Sequence, residues 1–318
     1  MIVEGMSAAE AVASEAERVS NWRRWGDTDV LGTLNFIDAS KRQAAAEAVR
    51  SGESLSLSIE FGLDGPQTGD LGRFNPVHTM TLTDGTPTIK FPHGFGAADD
   101  VIMMPMQSAT HWDGLGHIFD RGRAWNGRAA AEVVTVAGDQ TTGIERVSHA
   151  FVSHGVLLDV GRAIGNGELP DGFAITSGHL ENTIAEQGPS AAVERGDIVL
   201  VRTGKLSRCR REGWGTYAGG AAPGLSFETI GWIHSREIAA LATDTWGAEV
   251  RPNEFPDAFQ PWHQVVIPHL GLYVGEMFEL DRLAVRCAED GRYDFLLVAA
   301  PLPVAGGVGA PVNPIAVR

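Results

Sequence analysis

The stretch DIVLVRTG, residues 197–204, decides how the chain is read. Ile198, Val199, Leu200 and Val201 form a compact apolar run, opened by Asp197 and closed at Gly204. A short apolar run bounded by turn-forming residues reads as a buried strand. Three others have the same build: HGVLLDVG (154–161), IAALATDTWG (238–247) and DFLLVAAP (294–301). Helical patterns separate some of them. TSGHLENTIAEQG (176–188) starts on Thr and Ser and stops at Gly, while SFETIGWIHSREIAAL (226–241) starts at Ser226, a capping residue type. Strands alternating with helices predict an α/β fold with a mixed β-sheet core flanked by helices.

Upstream, residues 7–19 and SKRQAAAEAVRSG (40–52) are predicted helices, the second beginning near Asp38 or Ser40 and stopping at Gly52. NWRRWGDTDVLGTLNFI between them reads as a packed irregular segment. SLSLSIEF (54–61) alternates like a half-buried strand. The Gly-, Pro-, Thr- and Asp-rich region 62–105 reads as short strands and loops. No composition shift, repeat or linker marks a boundary, so the expectation is one domain over 1–318 with an N-terminal helical extension to about residue 52.

Composition narrows the function classes. With 43% hydrophobic and 20% charged residues the chain suits a soluble globular protein. A net charge of −15 argues against nucleic acid as a partner, and Arg208, Arg210 and Arg211 are too few to reverse that. Cys209 and Cys287 stand far apart, in no metal-binding or disulfide pattern. The opening MIVEGMSAAEAVASEAERVS lacks the apolar core of a signal peptide, and no run is long enough to cross a bilayer. The expected location is cytoplasmic, with no membrane partner. GGVGAP (306–311) has neither the Lys-Ser/Thr of a P-loop nor a GxGxxG fingerprint, and a GxSxG elbow is absent.

The chemistry concentrates in MQSATHWDGLGHIFDRG (106–122). On a strand, Gln107, His111 and Asp113 share one face, with Trp112 turned away toward core or an interface. Gly114 and Gly116 then let the chain turn and bring His117 back beside them. Imidazole nitrogen and carboxylate oxygen are donors suited to Zn, Mn or Fe(II). A bound divalent ion lowers the pKa of its water from about 15.7 to about 7. Taken alone, the segment is equally well read as histidines satisfied by core hydrogen bonds.

Its neighbours tip the balance. THWDGLGH resembles the signature of the cyclase family of metal-dependent hydrolases, which includes bacterial kynurenine formamidase and isatin hydrolase: His-x-Gly-Thr-His-x-Asp-x-Pro-x-His. Thr110, His111, Asp113 and His117 match it, whereas Gln107, Ala109 and Leu115 depart from it. NWRRWGDTDVLGTLNFI resembles the N-terminal segment of the longer members. HGVLLDV, DIVLVRTG, ATDTWG, WHQVVIPHLGLYVGEMFELDRL and the C-terminal APLPVAGGVGAPVNPIAV resemble later family segments.

The resemblance implies a swivelling β/β/α-type fold. It implies that His111 and Asp113 are metal ligands and that Gln107, at a ligand position, offers an amide oxygen. His117 then either binds a second metal or moves a proton, and His263 and Glu276 match the distal pair, with Glu279 the fallback carboxylate. An amide oxygen in place of imidazole favours a harder ion, so one Mn²⁺ on Gln107, His111 and Asp113 is expected, with Zn²⁺ the alternative. The competing arrangement is a binuclear zinc site that adds His117, His263 and Glu276. The implied activity is hydrolysis of a small cyclic or formyl amide, or a lactone, by a homodimer or homotetramer. The alternatives are a cyclase- or lyase-type reaction, or a non-catalytic relative that has lost its metal. His93, in a Gly- and Phe-rich loop, together with Trp246 and Trp262, is expected at the substrate pocket. The other histidines read as caps, surface groups or core hydrogen-bond partners.

Overall fold

The computed structural model describes residues 6–85 and 90–318. The first five residues of the expected helical extension therefore lie outside the described residues. The chain is α/β, built on one mixed sheet of nine strands. In chain order these are β1 (Ser54–Ser56), β2 (His111–Asp113), β3 (Val152–Asp159), β4 (Ile198–Arg202), β5 (Ala240–Thr243), β6 (Tyr273–Glu276), β7 (Asp294–Val298), β8 (Gly309–Pro311) and β9 (Ile315–Val317). Their order across the sheet is β1-β9-β7-β3-β4-β5-β6-β2-β8. The centre, β3 to β6, is parallel, and the remaining pairs are antiparallel. All four apolar runs of the sequence are strands here, and β4 and β5 are buried along their whole length.

The order of the strands forces the sheet to curl. β8 and β9 are joined by three residues, yet they stand seven places apart in the sheet. Laid flat, seven spacings would separate them by about 34 Å. The connecting backbone reaches only about 14 Å. A curled sheet brings its two ends together, and the site described below lies on the last strands of that curl.

Local chemistry sets the helix ends. Ala8–Val19 carries a capping box, with Ser7 and Glu10 satisfying each other's backbone N–H groups. Ser177–Gln187 starts at Thr176, whose hydroxyl accepts from the His179 N–H at 3.2 Å. Two expected helices are shorter than their patterns. Ala39–Glu47 starts at Asp38 but ends early, because Ser51 and Gly52 donate to the carbonyl of Arg318 instead. Thr229–Arg236 begins three residues after Ser226, which is not its cap. The backbone at Gly224–Leu225 is paired with Ala174–Ile175, and the Ser226 N–H donates to Ile175. The run 54–61 keeps its alternation, with Leu55, Leu57 and Ile59 buried, but continuous strand pairing covers Ser54–Ser56, with an isolated bridge from Ser58 to Phe278. Beyond it, Leu57 donates to Pro314 and Ile59 donates to the Thr110 hydroxyl.

Within region 62–105, strands Val77–Leu82 and Asp99–Met103 form a separate antiparallel hairpin. It exposes Met80, Val101, Ile102 and Met103. Cys209 and Cys287 are free and buried. Among the described residues no helix is long and apolar enough to cross a membrane.

Candidate metal centre

β2 is three residues long and is held on both sides. Glu276 of β6 and Pro311 of β8 stand opposite His111, while Val274 and Gly309 stand opposite Asp113. Directly paired residues share a face and alternate residues repeat it. His111, Asp113 and Glu276 therefore point the same way, and Trp112 points the other. Trp112 is fully buried against Phe151 and Phe278. Opposite it, Gly275 makes the space: a Cβ there would lie 2.8 Å from the Trp112 ring and 2.5 Å from the Ala242 Cβ.

The three side chains converge. His111 Nε2 lies 3.2 Å from Asp113 Oδ1 and 3.6 Å from Glu276 Oε2. One donor atom from each lies within 4.8 Å of the others, and all three residues are buried. His111 Nδ1 is 2.8 Å from the Ala109 carbonyl, an acceptor only, so Nδ1 carries the proton and Nε2 presents its lone pair to the cluster. Neither His111 Nε2 nor Asp113 Oδ1 makes a hydrogen bond, despite complete burial. Such an arrangement of lone pairs is costly without a cation between them. One imidazole nitrogen and two carboxylate groups fit a divalent metal ion, and that is what the cluster can hold.

His117 comes back beside Asp113, its Nε2 3.6 Å from Oδ1. The two glycines before it serve close approach rather than a left-handed turn. A Cβ on Gly114 would meet the Val308 carbonyl oxygen at 2.8 Å, and one on Gly116 would meet Asp139 Oδ2 at 2.1 Å. Burial, with the charge of Arg73 and the neighbouring His111, pushes the His117 imidazole below its ordinary pKa, and Asp113 only partly offsets this.

His263 stands on the far side of Glu276. Its Nε2 is 3.3 Å from Glu276 Oε1, and its Nδ1 is 2.6 Å from Glu249 Oε1. Burial favours the neutral ring, yet hydrogen bonds to Glu249 and Glu276 and their charges raise its pKa to about 10. Glu249, buried, also accepts from the backbone N–H groups of Trp262 and His263 and from Asn253 Nδ2. It was not foreseen from the sequence, although it lies two residues past ATDTWG, where the only signal was a lone carboxylate in a buried run.

The distal carboxylate at the cluster is Glu276. Glu279 turns elsewhere, accepting from the Asp281 N–H at 3.0 Å. Gln107 is not on the strand: it sits in the turn before it, so strand alternation does not place it. Its amide nitrogen is buried without a partner, close to Gly309, where a Cβ would lie 2.9 Å away. Trp262 is wholly buried, edge-on to His263, with its Nε1 donating to Thr229. Trp246 is nearly buried at the rim. His93 is exposed in the turn Pro92–Gly94, outside the buried cluster.

Residues 57–250 match the profile of the Cyclase family. The chain belongs to the cyclase family. A crystal structure described as a novel cyclase is 36% identical to it, with a TM-score of 0.86 over 94% of this chain and 100% of that one. Isatin hydrolase A from Labrenzia aggregata, solved with benzyl benzoate, is 20% identical, with a TM-score of 0.58 over 87% of this cyclase-family chain and 98% of its own. Isatin hydrolase A from Ralstonia solanacearum is 17% identical, with a TM-score of 0.60 and coverages of 88% and 97%. At such identities the likeness to the two hydrolases is one of fold. No curated protein matches the chain.

Proposed function

We propose that this cyclase-family chain is a metal-dependent hydrolase of a small cyclic or formyl amide, or of a lactone. The observation that carries the reading is the pair of buried, unpartnered atoms His111 Nε2 and Asp113 Oδ1, facing Glu276. His111, Asp113 and Glu276 would hold the ion. Two carboxylates to one imidazole make Mn²⁺ the better match, with Zn²⁺ the alternative. Gln107 becomes a further ligand if its amide is turned so that the oxygen takes the place of the orphaned nitrogen. Bound there, a divalent cation supplies Lewis acidity and a water acidic enough to ionise near neutrality.

The chain's own residues supply the rest. His117 is neutral at pH 7 and 19% exposed, so its Nε2 is placed to take up a proton and return it to a leaving nitrogen or oxygen. His263, held cationic by two carboxylates, fixes Glu276 Oε1 and leaves Oε2 for the cluster. A homodimer or homotetramer suits the exposed apolar residues of the hairpin, which a second copy would cover.

The test is metal analysis of the purified protein and of His111→Ala, together with hydrolysis of formamides, isatin-like lactams and lactones in Mn²⁺ and in Zn²⁺. Stoichiometric metal lost in the variant, and activity that falls about 100-fold or more on chelation, is the expected result. No stoichiometric metal in the wild type, with nothing lost in the variant, would sink the hydrolase reading.

A further inference from the structure

Beside the cluster, two guanidinium groups stack on one tryptophan. Arg73 Cζ lies 5.1 Å from the centre of the Trp246 ring and Arg251 Cζ 5.5 Å from it, with Arg251 also 5.5 Å from the Phe259 ring. Cation–π contact accounts for some of this, but it leaves the in-plane N–H groups of each guanidinium to find acceptors. In so acidic a chain most arginines have found carboxylates. Arg202 meets Asp159 and Asp281, and Arg211 meets Glu168 and Glu212. Among the described residues, neither Arg73 nor Arg251 makes a salt bridge. Arg251 Nη2 donates to the Gly219 carbonyl at 2.8 Å, while its Nη1 is buried with no hydrogen-bond partner. Leaving a buried charged donor unsatisfied is expensive, which sets Arg251 apart from the paired arginines.

The place is a cleft of about 160 Å³, whose lining includes Gln67, Trp246, Arg251, Phe259 and Asp70. Asp70 is occupied on one side by the Thr68 hydroxyl at 2.9 Å. Arg251 is held from behind, its backbone N–H and carbonyl both bonded to Ala222. The cleft adjoins the metal cluster through two links. Ala248, two residues past Trp246, donates its N–H to Glu276 Oε1 at 3.4 Å. Gln67 accepts from Trp246 Nε1 at 3.2 Å and donates to the carbonyl of Ser108, next to Gln107, at 2.8 Å. With its Nε1 taken and its ring buried, Trp246 serves to hold the two guanidinium planes.

We infer that Arg251, supported by Arg73 across Trp246, binds a carboxylate carried by the substrate, so that the site takes a flat, anionic amide or lactone. The inference rests on the hydrolase reading for what is cleaved, not for what is bound. Guanidinium donates to a carboxylate in a two-pronged geometry that lysine cannot reproduce. The exposed Phe259 ring beside it favours a planar ligand.

Calorimetric titration of benzoate and of benzamide into the purified protein tests this, with Arg251→Gln, Arg251→Lys and Arg73→Gln compared and folding checked by circular dichroism. Benzoate should bind at least about 10-fold more tightly than benzamide, and Arg251→Gln should weaken benzoate by about 10- to 100-fold with metal content unchanged. Arg251→Lys should recover only part of the loss, and Arg73→Gln should lose less than Arg251→Gln. Equal binding of the two probes overturns the inference. So does benzoate affinity unchanged in both Gln variants, which would put the anion on the metal cluster instead. Should Arg251→Gln fail to fold, Arg73→Gln carries the same criterion. A protein that prefers benzoate but holds no metal would sink the hydrolase reading alone, and metal-dependent hydrolysis without that preference would sink this inference alone.

Discussion

Two histidine–carboxylate clusters sit on the same sheet, and they differ in how their donors and acceptors are matched. At β2 and β6, His111, Asp113 and Glu276 turn lone pairs toward one another, and two of their atoms have no donor. At β3 and β7, His154 Nδ1 lies 3.0 Å from Asp197 Oδ1 and its Nε2 lies 3.6 Å from Asp294 Oδ2. Asp197 is wholly buried too, but Lys41 Nζ and the Glu194 N–H also point at it. Residue types are alike, although His154 and Asp294 are partly exposed where His111, Asp113 and Glu276 are buried. The balance of donors and acceptors separates a cluster that is complete in itself from one that calls for a cation.

The contrast breaks most sharply under a crossed pair of substitutions. Asp197→Asn should cost about 3–5 kcal/mol of folding stability, because it leaves Lys41 and His154 without their shared counter-charge. It should leave metal content intact. Asp113→Asn should do the reverse, abolishing metal binding while changing stability by about 1 kcal/mol or less, since it relieves a cluster that was unsatisfied. Chemical denaturation and metal analysis on both variants decide it; equal effects on stability would erase the distinction.

A smaller effect belongs to Glu249, which touches no atom of the three-residue cluster but holds His263. Glu249→Gln should slow hydrolysis by about 10- to 100-fold with metal still bound. A wild-type rate would show that the orientation of His263 does not matter.

The smallest effect is a pH dependence that belongs to the satisfied cluster. Burial disfavours charged His154, but Asp197 and Asp294 raise its pKa from 6.5 to about 9. The folded state therefore binds this proton more tightly than the unfolded chain. The contribution is fully present below pH 6.5 and is lost as the pH rises through 9, and with the ring partly exposed it amounts to about 1–3 kcal/mol. Melting temperature measured across that window should fall in the wild type and flatten in His154→Gln. Parallel slopes in the two proteins would rule this source out.

How much of this was legible varies by residue. The four apolar runs showed the sheet because burial on both faces writes itself as an uninterrupted run. His111 and Asp113 were legible because alternation is local. Their meeting with Glu276 was not a local property: it depends on β6 lying against β2, which no spacing encodes, and the family resemblance had set Glu276 with His117 and His263 at a second metal instead. Gln107 was misplaced by extending strand alternation into what is a turn. Glu249 and Arg251 left no trace, since each is one polar residue whose importance arises from what the fold sets beside it. His154 looked like an ordinary core or cap histidine in the sequence, and its salt bridges make it one.

The strand bearing His111 and Asp113 is flanked on both sides by strands from the last fifth of the chain. A ribosome releasing this protein thus exposes both side chains long before anything can flank them. No ion can be captured in the finished geometry until the sheet has curled shut, so metal loading follows synthesis and cannot guide its early stages.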